Sequence, residues 1–206
     1  MPDYVTVDNL RDYIGSDTTN FAAVAQSACT VASRWVEAKA GRTFFGDSTV
    51  SARYFDPISA WECNVDDIST TSGLIVATDD GGNGTYSGTW TYNTDFILEP
   101  VNSRQGGIAG YPFTKVKVLG NQSRGFFINR VWSMRPFVKV TAKWGWAAVP
   151  DDVTQAALMK AAEVFKMKDA ANGTIGLDGW GPVRFRENPA ILALLGPYML
   201  HPYATA

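Results

Sequence analysis

The stretch FVKVTAKWGWAAVPDDVTQAALMKAAEVFKMKD, residues 137–169, contains the change from strand to helix on which the fold is read. Val138, Val140, Ala142, Trp144 and Trp146 alternate with Lys139, Thr141, Lys143 and Gly145, the period-two pattern of a half-buried strand. Residues 147–149 break the pattern, and Pro150 with Asp151 and Asp152 forms a helix start. Proline has no N–H to leave unpaired in a first turn, and the two carboxylates face the positive end of the helix dipole. From Val153 to Lys168, Val153, Ala157, Ala161, Val164 and Phe165 recur at helical spacing. The junction predicts an α+β fold.

Upstream, Thr6 is placed to cap a short helix over 7–14 with Leu10, Tyr13 and Ile14 on its apolar face, and 15–19 is a polar break. A second helix follows, with Phe21, Val24, Ala25, Ala28, Ala32, Trp35 and Val36 as its stripe and Gly41 at the C′ position. Its alanines and serines permit close helix–helix approach, within one core or against a neighbouring subunit. Strands are expected at 53–57, ended by Pro57, at 74–78, and at 115–118. Tyr86, Gly88, Trp90 and Tyr92 line one strand face, continued by Phe96 and Leu98. Residues 79–84 read as a hairpin turn. Beyond Asp169 a stretch with Gly173, Gly176, Gly179 and Gly181 reads as an extended arm. It leads to a short apolar helix capped by Asn188 with Pro189 in its first turn and stopped at Gly196. Such a helix buries itself on its own domain or on a partner. The organisation expected is therefore N-terminal helices of a helical body over 1–43 and a β-rich insertion, antiparallel, over 44–149. The long helix of the body over 150–169 and a glycine-rich arm with its terminal helix over 170–206 complete it.

Composition narrows the function. With 206 residues, 46% of them hydrophobic, the chain has enough apolar side chains for a sizeable core, and its net charge of −2 gives no global pull toward nucleic acid or an acidic membrane. Two cysteines, Cys29 and Cys63, are too few for a disulfide framework or a metal cluster, so a reducing site of synthesis is expected. Met1-Pro2-Asp3-Tyr4 lacks the basic and apolar regions of a signal peptide, and no run is long enough for a membrane span. The single histidine, His201, has no nucleophile beside it, no Cys/His cluster has zinc spacing, and the glycines at 81–88 lack a phosphate-loop ending. The turn at 79–85 lacks the alternating ligands of a calcium loop. No enzyme and no cofactor is expected.

Charge is distributed in blocks. Residues 44–100 carry nine acids and one base, Arg53, whereas 101–149 carry eight bases and no acid. Either the blocks pair across strands of one sheet, or they make a polar subunit whose basic face meets an acidic neighbour or lines a passage for nucleic acid.

In order along the chain, several segments resemble the head–tail connector (adaptor) family of tailed bacteriophages, of the type found with actinobacterial hosts. They are a short helix and a long one ending Trp35-Val36-Glu37-Ala38-Lys39-Ala40-Gly41-Arg42, then Arg53-Tyr54-Phe55, Val65-Asp66-Asp67-Ile68 and Gly84-Thr85-Tyr86. Asp95-Phe96-Ile97-Leu98-Glu99-Pro100, Val140-Thr141-Ala142-Lys143-Trp144-Gly145-Trp146 and Val149-Pro150-Asp151-Asp152-Val153 follow. Trp61-Glu62-Cys63 and the loop 120–130 carry none of the resemblance. It implies a structural virion protein, made in the host cytoplasm and placed in the neck at the portal vertex. Copies would form a ring, a dodecamer, joining the portal protein to a stopper or other tail-side neck protein and leaving a channel for passing DNA. It also implies portal contact by the C-terminal extension, for which the candidates are Arg184, Arg186, Ile191, Leu194, Leu195 and Tyr198. Candidates for inter-subunit or channel charge are Lys115, Lys117, Arg124, Arg130, Lys139 and Lys143. Two other readings compete: a different neck component (stopper or tail-completion protein), and a carbohydrate-binding β module using Trp90, Tyr92 and Trp144.

Overall fold

A computed structural model describes residues 2–15, 19–120, 125–126, 136–169, 174–176, 182–184 and 188–200. The fold is α+β. The chain divides into a helical unit, 1–43 with 149–206, and a sheet unit, 44–148.

The helical unit begins with α1, Val7–Ile14. Thr6 Oγ1 accepts from the Asn9 N–H while Asn9 Oδ1 accepts from the Thr6 N–H, so two end groups of the helix are satisfied reciprocally. The second helix, α2, spans Ala22–Ala40 and buries Ala25, Ala28, Cys29, Ala32, Ser33, Val36 and Ala40. The stripe expected from sequence holds from Ala25 onward. Phe21 and Val24 are exposed instead, because the helix starts only at Ala22 and Val24 is turned away from the buried arc. Tyr13 of α1 is likewise exposed, leaving Leu10 as that helix's buried residue. Residues 2–5 are strapped along α2: the Tyr4 N–H donates to Ser33 Oγ and the Tyr4 hydroxyl to Glu37, each at 3.0 Å. Helix α3, Asp151–Lys166, packs on α2, and its buried residues Val153, Ala156, Ala157, Ala161, Ala162 and Phe165 are mostly alanines, which permit close helix approach. Beyond it, β9 (Thr174–Gly176) pairs antiparallel with β10 (Pro182–Arg184). Helix α4, Pro189–Leu195, starts at Asn188, whose side chain accepts from the Ala190 N–H.

The sheet unit is built from β1 (Ser51–Phe55), β2 (Glu62–Thr78), β3 (Gly88–Trp90), β4 (Phe96–Glu99), β7 (Phe113–Val118) and β8 (Val138–Trp144) in the order β1-β8-β2-β7-β4, all pairs antiparallel. β3 pairs with the end of β2, and the two-residue strands β5 (Arg104–Gln105) and β6 (Ile108–Ala109) form a separate hairpin. One face carries the core: Cys63, Val65, Ile68 and Val76 of β2, Val116 and Val118 of β7, Phe96 and Leu98 of β4, and Val138, Val140, Ala142 and Trp144 of β8.

Three strand expectations need correction. β2 is 17 residues long and not confined to 74–78. Register shifts between Asn64 and Ile68, Ile68 and Thr70, and Thr70 and Ile75 exchange its faces, which erases the alternation by which a strand is read. The run from Tyr86 to Leu98 is two strands, because residues 91–95 turn back, with Asn93 at φ 63° and the Asp95 carboxylate accepting from the Thr91 N–H. The 137–146 strand also stops earlier than its pattern, at Trp144. Gly145 takes φ 94°, and a Cβ there would overlap the Phe45 carbonyl.

Two substitutions test this packing. Trp144→Ala is expected to cost about 3–5 kcal/mol in urea unfolding, the range for truncating a buried large aromatic. Gly145→Ala is expected to destabilise as well, through backbone strain and overlap, with the mutant's thermal midpoint the readout.

Candidate functional site

The charge blocks meet on the open face of the sheet, opposite the core. β7 points Val116 and Val118 inward, so Lys115 and Lys117 lie on the other side. Lys115 Nζ is 3.1 Å from Glu62 on β2, and Lys117 Nζ is 3.0 Å from Glu99 on β4. Both pairs run diagonally across the strands, since Lys117 stands opposite Glu62 and Lys115 opposite Glu99. The hydrogen bond from Glu99, reinforced by its charge, raises the Lys117 pKa. On the core side, Arg53 lies 4.6 Å from the centre of the Trp144 ring and 2.7 Å from Asp66. Two of the eight bases of the 101–149 block, Lys115 and Lys117, thus pair with acids of the 44–100 block within one sheet, as the first of the two readings expects.

Lys139 and Lys143 differ. They share the open face of β8, and neither forms an ion pair with another described residue. Lys139 stands between Tyr54 of β1 and Ala77 of β2, and Lys143 opposite Thr70. Tyr86 stacks against Tyr54 at 5.3 Å between ring centres and donates its hydroxyl to the Pro136 carbonyl. Arg124 and Arg130 lie outside the described residues, as does His201.

The C-terminal candidates separate in the same way. Ile191, Leu195 and Tyr198 are buried in the helical unit, where α4 packs on α3. The Tyr198 hydroxyl, on a residue only 4% exposed, donates to Asp152 Oδ2 at 3.0 Å. Burial, then the bond to Asp152, pushes its pKa up to about 12. The Leu200 N–H donates to the Ala40 carbonyl at 2.8 Å, tying residue 200 to the end of α2. Of the alternatives expected for the terminal helix, docking on its own domain is the one observed, and a partner would reach Ile191, Leu195 and Tyr198 only if α4 left its seat. Leu194 is half-buried, Arg184 stands opposite Thr174 in the β9–β10 pair, and Arg186 lies outside the described residues.

The remaining sequence features take structural roles. The buried Asp79 carboxylate accepts from the Asn83 and Gly84 N–H groups, making the 79–84 segment a self-satisfied turn. Trp90 and Trp144 are buried, their indole N–H groups donating to Thr78 Oγ1 and the Ser51 carbonyl, which takes two of the three aromatics away from any sugar platform. Burial pushes the Cys63 thiol up to about 12. Among the described residues no group of three or more His, Cys, Asp or Glu side chains is placed to hold a metal ion, and no helix is long and apolar enough to cross a membrane. One exposed feature went unread from sequence: Ile58 and Trp61 project from a turn pinned by Ser59 Oγ, which accepts from the Trp61 and Glu62 N–H groups. The serine two residues before Trp61 was the available signal.

No family model matches the chain, and no curated protein matches it. Solved structures do. One, from the neck of an empty GTA particle computed with C6 symmetry, aligns over 98% of this chain and 93% of its own, with TM-score 0.51 and 14% identity. A second, from the virion of a native gene transfer agent (GTA) particle, aligns over the same shares with TM-score 0.52 and 13% identity. At these identities the likeness is one of fold, and it runs the length of both chains.

The seat of α4 can be probed directly. Tyr198→Phe is expected to lower stability by about 1 kcal/mol at neutral pH, the worth of one hydrogen bond. Because the folded state raises the phenol's pKa, the contribution is whole below about pH 10 and lost as pH rises toward 12. Urea unfolding across that window should show a steeper decline in the wild type than in the variant.

Proposed function

We propose that the chain is a structural component of the neck of a phage-like particle, built into a symmetric ring of its own copies. The observation that carries this reading is the end-to-end likeness to a chain from the neck of a GTA particle, covering 98% of this chain. The resemblance of its ordered segments to head–tail adaptors supports the same place independently. Within that reading the protein is the adaptor between the portal and a tail-side neck protein, forming a dodecamer around the path of DNA. It is found in the virion, and it acts by binding partners, without a cofactor and without catalysis. A stopper or tail-completion protein would also be a structural neck component, and contact with the portal distinguishes them.

The portal-facing surface is assigned to the C-terminal region: Arg184, Arg186 and the half-buried Leu194, with Ile191, Leu195 and Tyr198 holding α4 in place or joining the contact if it undocks. Lys139 and Lys143 are the basic residues best placed for inter-subunit or channel contact, since Lys115 and Lys117 are already paired. Deleting the C-terminal segment would also strip the helical unit of buried side chains, so point changes are the better test. Triple replacement Arg184→Glu/Arg186→Glu/Leu194→Glu is expected to abolish co-sedimentation with purified portal while leaving the thermal midpoint within a few degrees of wild type. Undiminished portal binding by this folded variant would remove the assignment, and wild-type protein that binds tail but not portal would favour the stopper role.

A further inference from the structure

The open face of the sheet is neutralised on one side only. Where β7 and β4 run, Lys115 and Lys117 are paired with Glu62 and Glu99. Where β1, β8 and β2 run, Lys139 and Lys143 have no ion pair among the described residues, and their cross-strand neighbours Tyr54, Ala77 and Thr70 carry no acid. Four residues apart on one strand, the two lysines stand about 13 Å from each other. Between and beside them Ile75 is 56% exposed and Tyr54 51% exposed. Unshared cations flanking exposed apolar side chains fit a protein surface in which carboxylates surround an apolar group. A phosphodiester backbone would satisfy the lysines but offer Ile75 nothing.

The helical unit carries the complementary set. Asp12 on α1 and Asp151 at the start of α3 are exposed, neither has an ion-pair partner among the described residues, and the two helices pack on one another. Tyr13, beside Asp12, is an exposed aromatic. We propose that the helical unit of one copy, through Asp12 and Asp151, docks on the β1–β8–β2 face of the next, through Tyr54, Ile75, Lys139 and Lys143. The two surfaces differ, so the contact is head-to-tail and repeats into a ring or filament instead of closing as a symmetric dimer. This deepens the assembly reading above and rests on it for the presence of many copies side by side.

Zero-length carbodiimide coupling tests the contact, because it joins an amine to a carboxylate only where they touch. Isotopically light and heavy wild-type chains are mixed, coupled and digested. Mixed-isotope links joining Lys139 or Lys143 to Asp12 or Asp151, suppressed by high salt, are expected. In sedimentation, Lys139→Glu/Lys143→Glu and Asp12→Lys/Asp151→Lys should each fail to self-associate alone and recover association when combined. The absence of mixed-isotope links at about 1 mM chain, where a contact of millimolar affinity is about 40% populated, overturns the proposal. So does duplex DNA shielding Lys139 and Lys143 from acetylation without any inter-chain link, which would make the face a phosphate reader. Inter-chain links in a protein that ignores the portal would leave this contact standing and contradict the neck reading instead.

Discussion

The sheet unit depends on the alternation along β8. That strand pairs with β1 on one side and β2 on the other, so every second side chain from Val138 to Trp144 enters the core while Lys139, Thr141 and Lys143 face out. Trp144 closes the strand: its ring packs on Phe55, its indole N–H is bonded to Ser51, and Arg53 lies over its face. Immediately after it the chain must turn at a glycine against the Phe45 backbone, and Trp146 then packs with Phe44 and Tyr111. A one-residue slip in β8 would bury the lysines and expose the valines. The same register that makes the core therefore sets which cations are presented.

This constraint explains why the lysines of β7 and β8 differ. Lysines on β7 find carboxylates on β2 and β4 because those strands flank them in the sheet. Exposed pairs of this kind contribute little stability each, and they leave that part of the surface close to neutral. β8 has β1 and β2 as neighbours, which place Tyr54, Ala77 and Thr70 beside its lysines, so their charge remains outward. The helical unit, in contrast, is held by alanine-rich packing of α2 on α3 and by α4 seated on α3, an arrangement in which the terminal helix shields its own apolar residues. Such shielding lowers the exposed apolar surface open to unwanted association.

Much of this was legible in the residues. Thr6 and Asn188 marked helix starts, Gly41 a helix end, and the alternation of 138–144 a strand, because each rests on local chemistry that tertiary packing had no cause to override. The first half of β2 was not legible, since its bulges scramble the alternation, and the turn at 91–95 was hidden inside aromatics that fit a strand. Opposed charge blocks were visible as counts. Which lysines remain unpaired was not, because strand order decides that, and strand order is a long-range fact. The seat of α4 escaped for the same reason: a short apolar helix announces that it must be covered, but not by what.

Locating the protein in an intact particle tests the central claim most directly. Antibody labelling of purified particles, followed by negative-stain imaging, gives its position. A neck component predicts label confined to the single vertex where head meets tail. Label spread over the capsid or along the tail, or particles complete without this chain, would contradict it.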